Sequence, residues 1–387
     1  MGYESFTSPG ATPAANPTEP WIQYRSEFPV TKNLVYLNHA GVSPLCRRAA
    51  EAMKNLADDA LLYGSYHYSQ WLDAYEGLRV AAARLINTDK REIAIVKNTS
   101  EGIATIAMGL NWKPGDKIVA FREEFPANYF PWLRLQSKGV RVEWLSITDP
   151  LERIEEATRG ARLLAVSFVQ YLGGYRADLK AIGDICHRQG VFFFVDAIQG
   201  LGAFPLDARS CRIHALAADG HKWMMGPEGC GILYVRADVQ ESIEPVEFGW
   251  TNIAGYNDFA CRDMALRADA GRYECGTLNT IGVYGLRAAL EFILEVGVER
   301  IAPAVQSLAD RVAAAAKQRG YTLLQERTPE TGAGIVSFRR EDIDSRMVVK
   351  RLAEAGFMAA PRQGWVRVSP HFYIDPAEMD RLAESLP

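Results

Sequence analysis

From Tyr36 onward the chain alternates short apolar runs with amphipathic stretches of helical spacing, and few folds accommodate that rhythm. EIAIVK at 92–97, the run at 117–120, LLAVSF at 163–168 and VFFFV at 191–195 read as buried strands. Helical spacing fills the gaps at 100–109, 129–136 and 179–188. Strands alternating with helices predict an α/β fold, a mostly parallel sheet covered by helices on both faces. Two further strands, at 215–217 and 230–235, flank the loop DGHKWMMGPEGCG. After about residue 280 the texture changes to long helices at 283–296 and 301–318, then GAGIVSFRR and a terminal helix near 376–386.

A chain of 387 residues exceeds what one core usually holds. The expected division is a mobile arm at 1–20, a large domain at 21–280 and a smaller α+β C-terminal domain at 281–387, with the segment after the arm partly joining the smaller domain. A net charge of -4, with no dense Lys/Arg block, gives no field to attract nucleic acid or an anionic membrane. No stretch of about 20 apolar residues is present to span a bilayer. The six cysteines form no CxxC pair or zinc-type cluster, so no metal and no disulfide is expected, and the N-terminus lacks a secretory pattern. A cytoplasmic protein acting on a small molecule is the resulting expectation.

The chemistry is concentrated at the ends of the apolar runs. In VDAIQG, Asp196 directly follows the most apolar strand, where open α/β sheets bind ligands. It equally suits the N-cap of a following helix. Lys222 lies in the DGHKWMMGPEGCG loop, and taken alone it reads as a solvated surface charge. A lysine and an acid on neighbouring strand ends are also the two groups that pyridoxal 5'-phosphate requires, one for the imine and one for the pyridinium nitrogen. KNTSEGIA at 97–104 supplies a strand-to-helix junction with Thr99 and Ser100, which can cradle a phosphate or merely cap a helix.

The ordered series NTSEG, EFPANYFPW, VDAIQ, DGHKWMMGPEG, RYECGTLNT and RVSPHFY resembles the class V aminotransferase family of fold-type I pyridoxal-phosphate enzymes. The resemblance is to the branch of cysteine desulfurases, selenocysteine lyases and isopenicillin N epimerase. It implies a seven-stranded-type sheet in the large domain. It further implies that Lys222 anchors the cofactor covalently and shuttles the substrate Cα proton, and that Asp196 pairs with the pyridinium nitrogen. Gln199 would bond the ring's phenolic oxygen, Phe125 would stack on the ring, and Thr99, Ser100 and His221 would hold the phosphate. Thr277 would reach the phosphate of a neighbouring subunit, which implies a homodimer. Arg367 would bind the substrate α-carboxylate, and Asn38, His39 and Gln170 would line the substrate pocket. His39 reads equally well as a satisfied structural histidine.

Several positions depart from the family pattern. Phe125 stands where desulfurases carry a histidine, and an aromatic ring stacks but does not titrate. No cysteine follows Cys275, although desulfurases use a mobile thiolate from the small domain. Gln170 replaces an asparagine, and Asp219 replaces a hydroxyl residue that touches phosphate, so Asp219 is expected to point away from it. The leading expectation is a pyridoxal-phosphate enzyme that labilises a bond at Cα of an amino acid, by transamination or by β-elimination of the C–S lyase type. The alternatives are an epimerase or racemase and a catalytically silent cofactor-binding dimer, with a cysteine desulfurase disfavoured. The aromatic residues Phe125, Trp250, Tyr256 and Trp365 hint at a sizeable apolar substrate side chain.

Overall fold

The computed structural model describes residues 22–387, and the expected arm at 1–20 lies outside the described residues. Strand β1 (Val35–Tyr36) precedes helices α1 (Arg47–Tyr63) and α2 (Tyr68–Leu85). The central sheet then collects β2 (Ile93–Val96), β3 (Lys117–Phe121), β4 (Arg141–Leu145), β5 (Leu163–Ser167), β6 (Phe192–Asp196), β7 (Ala215–Asp219) and β8 (Gly231–Val235). Helices α3 (Thr99–Gly109), α4 (Phe130–Arg134), α5 (Leu151–Thr158) and α6 (Leu179–Gln189) occupy the crossovers. The seven strands run in the order β2-β8-β7-β6-β5-β3-β4, and β8 alone runs opposite to the other six. The α/β expectation and the mostly parallel seven-stranded sheet are both observed.

Side chains that alternate along a strand face opposite sides, and both sides of this sheet are dry. Phe193, Val195, Leu216 and Val166 pack into one core, while Phe194, Ala165, Ala217 and Ile118 pack into another. This two-sided burial explains why the strands appear in sequence as unbroken apolar runs. Strand β4 escaped the sequence reading because it is the edge strand, and RVEWL is exposed at its start and only part-buried until Leu145. Helices α1 and α2 were also not anticipated. The helix expected at 129–136 is a single short α-turn at α4 running into a 3-10 turn, with Pro131 at its start.

Helices α7 (Thr280–Val296) and α8 (Val298–Gln318) lead into a second, four-stranded antiparallel sheet. It contains β9 (Thr322–Leu323) and β10 (Val336–Arg339); α9 (Ser345–Glu354) and β11 (Phe357–Met358) follow, then its remaining strands β12 (Ala360–Arg362) and β13 (Trp365–Val368), and α10 (Pro376–Ser385). The second sheet's order is β12-β13-β10-β9. Strand β1 pairs in parallel with β11, so the first strand of the described residues is attached to the C-terminal part.

One glycine sets how closely α3 approaches the central sheet. A Cβ at Gly102 would sit 2.7 Å from the Cβ of Ala217 on β7, inside van der Waals contact. Gly102→Val is therefore expected to push α3 off β7 and destabilise the chain by about 1–3 kcal/mol. Chemical denaturation checks this, and an unchanged midpoint contradicts it.

Candidate active site

A cavity of about 540 Å³ opens at the carboxyl ends of the central strands. Parallel strands that end side by side leave their following loops clustered there, the usual ligand position in open α/β sheets. Asp196 is the last residue of β6, and Lys222 lies three residues beyond the end of β7. Both line the cavity together with Thr99, Ser100, Gln199 and His221. Phe125 and Arg367 complete the set of expected residues found there.

The acid and the lysine perturb each other through a dry environment. Burial pushes the Asp196 carboxyl up to about 6, against the Ile198 amide and the Lys222 charge, which favour the carboxylate. The Ile198 N–H donates to Asp196 Oδ1 at 3.1 Å. Burial likewise lowers Lys222 to about 8, with Asp196 opposing the shift. The Lys222 Nζ makes no hydrogen bond or ion pair among the described residues and lies 5.7 Å from the centre of the Phe125 ring. An amine left unpaired in a cleft, beside a buried acid, is poised for chemistry rather than for stability.

The other groups form a cradle at the start of α3. Asn98 caps this helix by accepting from the Glu101 N–H at 2.9 Å, which leaves Thr99 and Ser100 in the first turn. The Asp219 N–H donates to Thr99 Oγ1 at 3.0 Å and ties the helix to the end of β7. Asp219 Oδ1 and His221 Nδ1 are buried without hydrogen-bond partners, although His221 Nδ1 lies 3.1 Å from Asp219 Oδ2. The Thr99 and Ser100 hydroxyls in the first turn of α3, the orphaned His221 Nδ1, an unpaired lysine amine and a buried acid, all in one cavity, fit a phosphorylated carbonyl cofactor. Lys222 would carry the carbonyl carbon, Asp196 the ring nitrogen, and Thr99, Ser100 and His221 the phosphate.

Several expectations need correction. Asp219, the last residue of β7, is among the residues lining the cavity, with its Oδ2 3.1 Å from His221 Nδ1. His39 does not line it. The ring is wholly buried, with Nδ1 2.8 Å from the Ser369 carbonyl oxygen and Nε2 2.7 Å from the Tyr373 hydroxyl, so it is a satisfied structural histidine. Burial, then the nearby His371, holds its pKa well below the ordinary histidine range. Asn38 is also absent from the lining, and its neighbours Ala40 and Gly41 take that place. Gln170 sits behind the wall, donating to Glu124 Oε1 at 3.1 Å, while Tyr171 lines the cavity instead.

Gln199 is at the cavity but already engaged. It accepts from Trp223 Nε1 and donates to the Ala40 carbonyl, both at 3.0 Å, leaving one amide N–H free. Thr277 lies outside this cavity within its own chain, in a depression shared with Lys97, Glu247 and Cys275. Trp250 and Tyr256 line another cavity, and Trp365 stacks under Arg339, so Phe125 is the only one of the four anticipated aromatics at the site.

Sequence reasoning missed Glu124, Tyr171 and Arg362. Burial raises Glu124 to about 7, aided by the Asp196 charge; it accepts from the Ser167 amide at 2.8 Å and from the Ser167 hydroxyl. The segment EFPANYFPW already contained this acid, one residue before Phe125. Tyr171 follows Gln170 directly, and its ring meets Phe125 edge-on at 5.2 Å. Nothing in the local pattern distinguished Arg362 from a surface arginine.

The family model described as aminotransferase class-V matches residues 35–378. A probable cysteine desulfurase of Methanothermobacter thermautotrophicus is 32% identical, over 94% of this chain and 96% of the relative. An aminotransferase of Bacillus subtilis, with no characterised activity, is 29% identical over 94% of this chain and 96% of its own length. Among solved structures, the apo cysteine desulfurase from Thermococcus onnurineus superimposes with a TM-score of 0.86 at 28% identity, covering 94% of this chain and 96% of that one. A cystine C–S lyase in complex with its product cysteine persulfide gives 0.85 at 25% identity, covering 93% of this chain and 100% of that one. With the site and the family match in agreement, the chain belongs to the class V aminotransferases and is a pyridoxal-phosphate-dependent enzyme.

Proposed function

We propose that the enzyme breaks the Cβ–S bond of a cysteine-type amino acid by β-elimination. Bound pyridoxal phosphate supplies an electron sink that labilises bonds at Cα of an amino acid. The chain's own residues supply the rest. Arg367, buried at 3% exposure, presents a guanidinium fork for the α-carboxylate. Lys222 Nζ takes the Cα proton, and its lowered pKa keeps a share of the amine neutral near neutral pH. Phe125 and Tyr171, in edge-on ring contact, give the cavity an apolar edge.

The observation that carries the reading is the convergence of Lys222, Asp196 and Arg367 in one cavity. The names of similar proteins support sulfur chemistry over simple transamination. They also restore cysteine desulfurase as a second reading, against the expectation that set it aside. The relatives favour that desulfurase reading, and the one observation on the side of elimination is that no cysteine is among the described residues lining the cavity. A neighbouring subunit contributing Thr277 is part of the proposal.

Product analysis separates these reactions. The holoenzyme given L-cysteine or cystine, with no keto acid present, is expected to release pyruvate and ammonia in equal amounts together with reduced sulfur. Alanine in place of pyruvate would establish the desulfurase reading. Amino transfer that requires a keto acid and frees no sulfur would refute both.

A further inference from the structure

Trp223 directly follows Lys222 but does not line the cavity, and its ring is wholly buried. A Cβ at Gly334 would come within 2.3 Å of the far edge of that ring, so only glycine leaves it room there. The Trp223 backbone is held as well. The Phe372 N–H donates to His371 Nδ1 at 2.9 Å, so the proton of the neutral imidazole sits on Nε2, which donates to the Trp223 carbonyl at 3.1 Å. Burial lowers His371 to about 4 and keeps it in that neutral form near neutral pH. The indole therefore has a fixed direction.

That direction decides how Gln199 is turned. An indole N–H only donates, and a backbone carbonyl oxygen only accepts. The Gln199 atom 3.0 Å from Trp223 Nε1 is thus its oxygen, and the atom 3.0 Å from the Ala40 carbonyl is its nitrogen. With both partners chemically unambiguous, the amide has a single orientation, and the one hydrogen left over is a donor. Gln199 lines the cavity, so a donor is what it offers a ligand. Without the indole N–H, the buried amide oxygen loses its partner and the group is free to turn.

We propose that Trp223 is a positioning residue: by fixing the Gln199 amide it aims an N–H at the phenolic oxygen of bound pyridoxal phosphate and holds that oxygen as an anion. The inference goes beyond the proposed reaction, because it concerns the enzyme with cofactor and no substrate, and it stands whichever bond at Cα is broken. A hydrogen bond to the charged form of a group favours that form. The pair thus lets the bound cofactor give up a proton at lower pH. Asp196, Asp219, His221, Lys222, Arg362 and Arg367 line the same cavity, and their charges are common to every variant compared below.

The test is a pH titration of the visible absorption of the holoenzyme, with no substrate added. Trp223→Phe keeps an apolar ring but removes the N–H, and is expected to raise the titration midpoint by about one pH unit. Gln199→Leu is expected to raise it at least as far, and the double variant no further than Gln199→Leu alone. A midpoint that does not rise in Trp223→Phe overturns the proposal, even where the denaturation midpoint falls, because the ring then only packs. A midpoint unmoved by Gln199→Leu overturns it too. So does a full further rise when Trp223→Phe is added to Gln199→Leu, which would make the two residues independent. If Trp223→Phe does not fold, the benzothiophene analogue of tryptophan, placed at residue 223 alone, keeps the ring's shape without the N–H and carries the same expectations.

Discussion

Lys222→Ala is expected to slow the exchange of the Cα hydrogen of a bound amino acid on the order of 10³-fold. The size follows from how the site is built. Lys222 Nζ is held by no hydrogen bond or ion pair among the described residues, so it is free to carry a proton. Phe125 carries nothing titratable, and His39 is held behind the wall by Ser369 and Tyr373. His221 is the neighbour best placed to sustain residual exchange, since it lines the cavity one residue earlier. Deuterium uptake at Cα, followed by NMR, measures the rate; borohydride reduction and peptide mapping locate the cofactor. Exchange within tenfold of the unaltered enzyme, or cofactor fixed elsewhere than residue 222, would refute the assignment.

Asp196→Asn is expected to lower turnover by about 10²-fold or more while stabilising the cofactor-free protein. The first effect reflects loss of the negative charge aimed at the ring nitrogen. The second comes from the same burial. With its pKa raised from 3.8 to about 6, the folded chain binds more protons than the unfolded chain between those values. Stability therefore falls as pH rises through that window and levels off above it. The full penalty is roughly 3 kcal/mol at neutral pH. The asparagine variant escapes this penalty, so its denaturation midpoint without cofactor is expected to be higher at pH 7 and flatter across pH 4–6. An unaltered pH dependence of stability would show that Asp196 is not the buried acid responsible.

The positions of Asp196 and Lys222 were legible because short-range signals mark them. VFFFV is followed directly by Asp196 at a strand's carboxyl end, and the glycine-rich loop around Lys222 is bounded by two recognisable strands. Residues whose placement depends on distant partners were not legible. His39 is decided by Ser369 and Tyr373, 330 and 334 positions away in the chain. Arg362 reaches the site through a two-residue turn whose backbone is left-handed at Gln363, a conformation no local pattern announced. Asp219 was judged by charge repulsion alone, although strand parity, with its backbone fixed on Thr99, places it at the cavity. Strand β4 was hidden by its edge position, where half-exposed polar residues mask the apolar periodicity.

The parallel pairing of β1 with β11 has a consequence for biosynthesis. Leu37, His39 and Ala40 hydrogen-bond to Met358 and Ser369, so the Ala40 and Gly41 side of the cavity is secured by residues translated much later, Ser369 being 330 positions after His39. Lys222 and Asp196 emerge from the ribosome well before Arg367 and the strands that fix Gly41. A nascent chain thus holds its reactive amine in a half-walled, wetter cleft, and cofactor capture in the finished geometry waits until synthesis has passed residue 369.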